Sequence, residues 1–498
     1  MIRRRLLHSN VNRPAVSVAP GDPLTPSTPP LAGMQLAALW WPPAPQLRGH
    51  TGSACASVAL AAGNLPHGGF AMTACHDTFL SFALLATCLA ASSTPAADHD
   101  ASPWNCLHEN ERSSAVLYRA LQREVPRFSA RRKMVLERLR TPQAIAEYQD
   151  RLRGFFIERI GGFPRRTPLH PRLVRVIDAG AYRIECVLYE SRPGHHVTAN
   201  VYVPRGQGPF PAVVVASGHS RSAKAAEYNQ RFGGALAGHG MIALCYDPIG
   251  QGERSQILDD EGQPRFRSTT TEHFLIGVGS LLVGRNTASY RIWDAIRAID
   301  YLCQRNDVDR RRIGMTGCSG GGTLTAYTMA LDQRVRCAAP ACYITTFERL
   351  IATIGPQDTE QNIYGQIAFG MDQPDYLLMR APRPTLIAAT TEDFFDIAGT
   401  WDAMRQAKRI YTRLGRPEAV AIVEADGKHG VKPVSLAAIT QWMRRWLREE
   451  DRHVGVPTVP LRDPRELQCT PKGQVLKLPG EKSVFQLNRE YAQLLAAA

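Results

Sequence analysis

A short strand-like segment at residues 312–316 runs directly into Gly317-Cys318-Ser319-Gly320-Gly321, and the helix-forming run TLTAYTMA follows the glycines. This order restricts the chain to few folds. A G-x-S-x-G turn between a strand and a helix is so tight that small residues must flank the serine, and it lifts the serine hydroxyl out of the end of a sheet. The five-residue pattern is weak alone, and its flanks give it weight.

The same strand-then-helix order repeats along the chain. Residues 212–216 (AVVVA) and 242–245 (IALC) are continuously apolar, as strands buried on both faces of a parallel sheet must be. A helix over 289–302, the strand 312–316, a helix over 321–330 and a strand over 335–339 follow. Then come a strand at 385–389, a helix over about 399–414, a strand at 419–423 and a final helix at 435–447. Before them, residues 182–189 and 197–203 alternate apolar and polar, the mark of antiparallel strands at a sheet edge. The expected fold is α/β: a doubly wound, mostly parallel sheet with an antiparallel start, behind a helical lead-in of about three helices over 104–160. Two long interruptions, 253–284 and 343–380, follow strands at the carboxyl edge of the sheet, where such folds place their sites. They are expected to wall the substrate cleft.

A serine hydroxyl becomes a useful nucleophile when an imidazole takes its proton and a carboxylate orients that imidazole. In this fold both follow the serine, acid first. His429, in Asp426-Gly427-Lys428-His429-Gly430, lies in the loop before the last helix, whereas His453 lies beyond that helix. The acid must come from the cluster after the strand 385–389, which holds Glu392, Asp393 and Asp396. Asp393 ranks first as the short side chain at the turn, Asp396 is the alternative acid and reads better as a helix N-cap, and Glu392 ranks third. For the oxyanion, the expected donors are the backbone N–H of Gly320 and that of His219 in Ser217-Gly218-His219-Ser220. His219 as the base is disfavoured because it precedes the serine.

Several of these stretches together resemble one family. Tyr246-Asp247-Pro248-Ile249-Gly250-Gln251-Gly252-Glu253-Arg254, the helix Trp293-Asp294-Ala295-Ile296-Arg297-Ala298-Ile299-Asp300-Tyr301-Leu302, the elbow and the Asp-Gly-Lys-His-Gly loop look like the acetyl xylan esterase-like branch of the α/β-hydrolases, near the prolyl oligopeptidase and dienelactone hydrolase groups. The resemblance covers roughly residues 161–447. It implies Ser319, Asp393 and His429 as the triad and the removal of acyl groups, often acetyl, from polysaccharides or related oxygen esters. Asp247, Asp294 and Arg297 are expected to be structural. The chain departs from the peptidases, which need a propeller of several hundred residues before the hydrolase core.

Composition narrows the remainder. The chain has 498 residues, 44% of them hydrophobic, and a formal charge of +14. The basic residues are scattered arginines without a dense run or interleaved aromatics, which argues against nucleic acid. Eleven cysteines are present, and none sits in a CxxC or Cys/His pattern of zinc-ligand spacing. No metal or organic cofactor is expected. Residues 1–71 are rich in Pro, Gly, Ala and Ser and are expected to be disordered or untranslated. Residues 72–96 read as an export signal, with the apolar stretch FLSFALLATCLA at 79–90, so a secreted or periplasmic enzyme is expected. Its n-region lacks Lys and Arg. Residues 97–170 form the lead-in, 171–450 the catalytic domain, and 451–498 an extension, with a strand-like segment at 474–478, that reads as the stub of a further domain. No segment reads as a stable membrane span.

The leading expectation is a serine carboxylic-ester hydrolase, a deacetylase of acetylated polysaccharide acting through an acyl-enzyme. The alternatives are a glucuronoyl- or feruloyl-type esterase, with Phe347, Tyr364, Phe369 and Tyr376 as sugar or aromatic platforms, then a serine peptidase, then an inactive fold used for binding. Oligomeric state is not legible.

Overall fold

The computed structural model describes residues 113–497. Nine strands form one sheet: β1 Arg172–Asp178, β2 Tyr182–Arg192, β3 His195–Pro204, β4 Phe210–Ala216, β5 Ile242–Tyr246, β6 Val308–Cys318, β7 Val335–Ala341, β8 Thr385–Glu392 and β9 Val420–Lys428. Their spatial order is β1-β2-β3-β5-β4-β6-β7-β8-β9. The pairs β1–β2, β2–β3 and β3–β5 are antiparallel. From β5 to β9 every neighbouring pair is parallel.

The apolar runs explain this arrangement. Ala212, Val214 and Ala216 of β4 pack into one core, and Val213 and Val215 into the core on the opposite face. A strand clothed on both sides has no use for polar alternation. The helices Thr287–Gln304 and Gly320–Leu331 contribute to the first core, Glu227–Gly238 and Pro433–Leu447 to the second. Strand order reverses at β4, which lies between β5 and β6. The carboxyl end of a sheet at such a switch point is where ligands bind in open α/β folds.

Among the described residues the lead-in holds two helices, Ser113–Arg138 and Pro142–Ile160, and the start of the expected lead-in, 104–112, lies outside them. Thr141 caps the second through its side chain, Pro142 opens it and Gly161 ends it in the left-handed region, so the single break falls where the sequence supplies a stop and a start. Both helices are bound into the hydrolase core. Phe156 packs on Tyr327 and Tyr376 at 5.0 and 5.5 Å between ring centroids. Arg132 donates to both oxygens of Asp375 at 2.7 and 2.6 Å, and Tyr148 Oη donates to Asp375 at 2.9 Å.

The segment expected as a strand at 474–478 is instead a 3-10 turn, Val475–Lys477. Its backbone bonds close locally, from Lys477 N–H to Gln474 O and from Leu478 N–H to Val475 O, and it pairs with no strand among the described residues. Much of the tail lies on the core: Val454, Leu467, Val475 and Val484 are buried. The Cys469 and Thr470 N–H groups each donate to Glu253 at 2.7 Å, and Tyr290 Oη donates to Asn488 at 2.7 Å. The seven described cysteines are free thiols. No described helix is long and apolar enough to cross a membrane. The proposed extension 1–71 and export signal 72–96 lie outside the described residues.

Candidate active site

β6 ends at Cys318 and the helix Gly320–Leu331 begins two residues later, leaving Ser319 alone in the turn at φ 60°, ψ −123°. An L-residue adopts positive φ only against steric resistance, so the surrounding structure must impose it. The Ser319 N–H donates to Ala341 O at 2.9 Å and its carbonyl accepts from the Thr323 N–H at 2.9 Å. The glycines make room for this turn: a Cβ on Gly321 would lie 2.0 Å from Ala216 O.

The loop after β4 leans against the elbow. A Cβ on Gly218 would stand 2.4 Å from Cys318 O and 3.3 Å from the Ser319 Cβ, and one on Gly320 would meet the His219 ring at 2.7 Å. His219 therefore covers the residue after the serine. Gln251 fastens this loop from the next strand end, donating to Gly218 O at 2.5 Å and Ser220 O at 3.0 Å.

On the other side, β8 and β9 pair to their ends, with Glu392 opposite Lys428. Asp393 and His429 come next on each strand, and His429 Nδ1 donates to Asp393 Oδ1 at 2.8 Å. Asp393 is held further by Thr390 Oγ1 at 3.0 Å and the Phe395 N–H at 3.0 Å. Its side chain is 1% exposed against 23% for His429. A buried carboxylate that receives three hydrogen bonds fixes the tautomer and plane of the ring it faces. Asp396 instead accepts from the Gly399 N–H at 3.0 Å as the N-cap of the helix Ile397–Arg413. Glu392 is exposed.

Two features were not legible in sequence. Phe394 stacks on His429 with centroids 4.2 Å apart and is 41% exposed, giving the site an apolar rim. The second is a polar cluster built from both insertions. His273 comes from the first and Asp358 and Glu360 from the second, and all three face His219. Burial disfavours a charge on His219, but Asp358 and Glu360 outweigh it and hold the imidazole pKa up to about 9. Burial likewise opposes ionisation of Glu360, yet Arg291 and the two imidazoles keep its carboxyl well below the usual range. The four aromatics of the second insertion behave mainly as core. Phe347 and Tyr376 are buried and Phe369 stacks on Phe155 at 3.9 Å, while Tyr364 is 74% exposed.

A family model described as acetyl xylan esterase (AXE1) matches residues 132–368. Over that stretch, just under half of the chain, the protein is similar to the acetyl xylan esterase-like branch of the α/β-hydrolases. The match takes in the elbow, His219, the first insertion and most of the second, and stops short of Asp393 and His429. Among curated proteins, this esterase is 24% identical over 305 residues to a candidate hydrolase of Bacillus subtilis (strain 168), YtaP, covering 58% of this chain and 96% of that one. Among solved structures it resembles the methylesterase BT1017, with a TM-score of 0.59 and 22% identity over 74% of this chain and 81% of that one. It also resembles a candidate acetyl xylan esterase from Bacteroides fragilis NCTC 9343, with a TM-score of 0.51 and 17% identity over 64% of this chain and 84% of that one. At these identities the structural likeness speaks to the fold. The esterase is a carboxylic-ester hydrolase.

Proposed function

We propose that this hydrolase removes acetyl groups from acetylated polysaccharide or its fragments, with Ser319 as nucleophile, His429 as base and Asp393 as the acid that orients it. The observation that carries this reading is the 2.8 Å bond from His429 Nδ1 to Asp393, taken with a serine held at φ 60° in the strand-to-helix turn. With Nδ1–H committed to Asp393, Nε2 is left as the acceptor for the serine proton. Ser319 Oγ attacks the ester carbonyl as His429 takes its proton. The N–H groups of Gly320 and His219 receive the developing oxyanion. Collapse expels the alcohol, protonated by His429, and leaves an acetyl-serine. Water, deprotonated by His429, then releases acetate. These steps need no residue beyond those named.

The match of residues 132–368 to the acetyl xylan esterase model supports a carbohydrate ester as substrate, and export through the segment at 72–96 would bring the enzyme to such polymers. Ser319→Ala is expected to lower turnover of a chromogenic acetate ester by about 10³-fold or more and to abolish labelling by a fluorophosphonate. Unchanged turnover would overturn the assignment. Competing turnover of acetylated xylan, a methyl glucuronate and a methyl ferulate separates deacetylation from the glucuronoyl and feruloyl readings.

A further inference from the structure

Four side chains from three distant segments converge beside the elbow. His219 Nε2 lies 3.0 Å from Asp358 Oδ2 and 3.0 Å from Glu360 Oε1. His273 Nδ1 lies 3.1 Å from the same Asp358 oxygen and 3.0 Å from the same Glu360 oxygen. These atoms make an equal-sided ring in which histidine and carboxylate alternate. Hydrogen bonds are directional and favour one acceptor along each N–H, so two equal contacts from each nitrogen are poor hydrogen-bond geometry. They suit a shared central charge. A ring of about 3.0 Å edges, flat or folded towards a tetrahedron, has a centre roughly 1.8–2.1 Å from every corner, close to the roughly 2.0–2.2 Å of zinc–nitrogen and zinc–oxygen bonds.

The protons point the same way. His273 Nε2 lies 3.1 Å from Ile249 O, and a carbonyl only accepts, so that nitrogen carries hydrogen. In the neutral ring Nδ1 then presents a lone pair to two carboxylate oxygens. Donation of the far ring N–H to a backbone carbonyl is the arrangement of metal-bound histidines. Arg291 Nη1 lies 3.0 and 3.2 Å from the two His273 nitrogens, nearly equidistant and so across the ring, not along the lone pair. It also donates to Glu360 Oε1 at 2.5 Å, beside the ring of ligands. An independent sign comes from Glu360, which is 2% exposed and whose Oε2 is buried with no hydrogen-bond partner among the described residues. A buried carboxylate oxygen without a partner is expensive.

We infer that His219, His273, Asp358 and Glu360 form a binding site for one divalent transition-metal ion, zinc above all. Two imidazoles and two carboxylates suit zinc better than the all-oxygen sets of calcium or magnesium. Four protein ligands make a closed, structural site. The ion ties the loop after β4 to the helix Thr269–Leu282 and to the turn Thr359–Gln361, and so fixes the loop whose His219 N–H serves the oxyanion. That last consequence rests on the proposed triad chemistry. The binding itself does not. A proton and a metal compete for His219 Nε2, so uptake releases protons.

The test uses the full chain, stripped with a chelator and titrated with Zn²⁺ by calorimetry, with the metal content of the untreated protein measured in parallel. One equivalent binding with a sub-micromolar Kd is expected. His273→Ala and the near-isosteric Asp358→Asn should each weaken it by about 100-fold or more, while Ser319→Ala and His429→Ala keep it, the latter separating this site from the His429–Asp393 pair. A visible Co²⁺ spectrum of the wild-type protein supplies coordination geometry without any variant. Absence of binding by the stripped wild-type protein, or binding that survives both His273→Ala and Asp358→Asn, overturns the site. Ester turnover is read separately, so either proposal can fail alone.

Discussion

Asp393 and His429 each stand one residue past Glu392 and Lys428, the last pair of the β8–β9 ladder, and are joined by a 2.8 Å hydrogen bond. The two parallel strands end together, after a one-residue slip between Thr390 and Glu392, and so bring the carboxylate and the imidazole side by side. Asp393→Asn should therefore leave the fold intact and lower kcat on an acetate ester by about 10⁴-fold, since the amide favours the wrong imidazole tautomer. Asp396→Ala should keep kcat within a few-fold and lower stability by about 1 kcal/mol through loss of the N-cap. Rate and urea midpoint, measured on both variants, decide between the two acids. The reverse pattern would make Asp396 the catalytic partner.

Gly218 is the only residue type that fits between Ser217 and His219, because a Cβ there would lie 2.4 Å from Cys318 O. Gly218→Ala should push the loop off the elbow and displace the His219 N–H. A fall in kcat of about 10²–10³-fold is expected, the size of a lost oxyanion donor, with far less change in KM. Steady-state kinetics on one ester suffice.

Arg132 and Asp375 are 3% and 0% exposed and meet at 2.6 Å. Removing one partner leaves a buried charge alone, so Arg132→Ala should destabilise the protein by about 3–5 kcal/mol. Phe156→Ala, in the same lead-in, should cost about 3–5 kcal/mol through the cavity it opens against Tyr327 and Tyr376. Both effects read in denaturant unfolding. Small values would mean that the lead-in contributes little to the hydrolase core.

Burial pushes the Asp372 carboxyl up to about 6, against the neighbouring Arg132 and the N–H groups of Phe347 and Gln373. Its folded pKa thus exceeds its unfolded value of 3.8. Between those two values the folded state holds the extra proton, so this group's contribution to stability falls as pH rises from about 4 to about 6 and is level beyond. Asp372→Asn keeps an oxygen for both N–H donors and should remove that slope. Unfolding free energies of wild type and variant across this range, differing increasingly in favour of the variant as pH rises, are the expected result.

Much of this architecture was legible in the chain because its signals are local. Continuous apolar runs such as 212–216 mark strands covered on both faces, and tight glycine turns mark the elbow. The order serine, carboxylate, histidine follows from the order of the strands. Asp393, Asp396 and Glu392 fall within five residues, and sequence could only rank them by turn geometry. Their separation into ring partner, helix cap and exposed side chain came from the register of β8 against β9. The tail showed the opposite limit: 474–478 carries a strand pattern, but a strand forms only by pairing with another, and here the backbone closes on itself in a 3-10 turn.

By itself, the sequence determined a doubly wound α/β chain with a tight glycine-flanked strand-to-helix turn at Ser319 and a carboxylate cluster and a histidine after it, in that order. Both insertions were visible as interruptions at the sheet's carboxyl edge. Only the tertiary structure decided that His273, Asp358 and Glu360 meet His219 over Gly320, because those residues are up to 141 positions apart and no spacing rule relates them. Contacts within a strand or turn are written in neighbouring letters. Contacts between insertions depend on how two long excursions pack over one sheet edge, and that is settled by burial and charge in three dimensions.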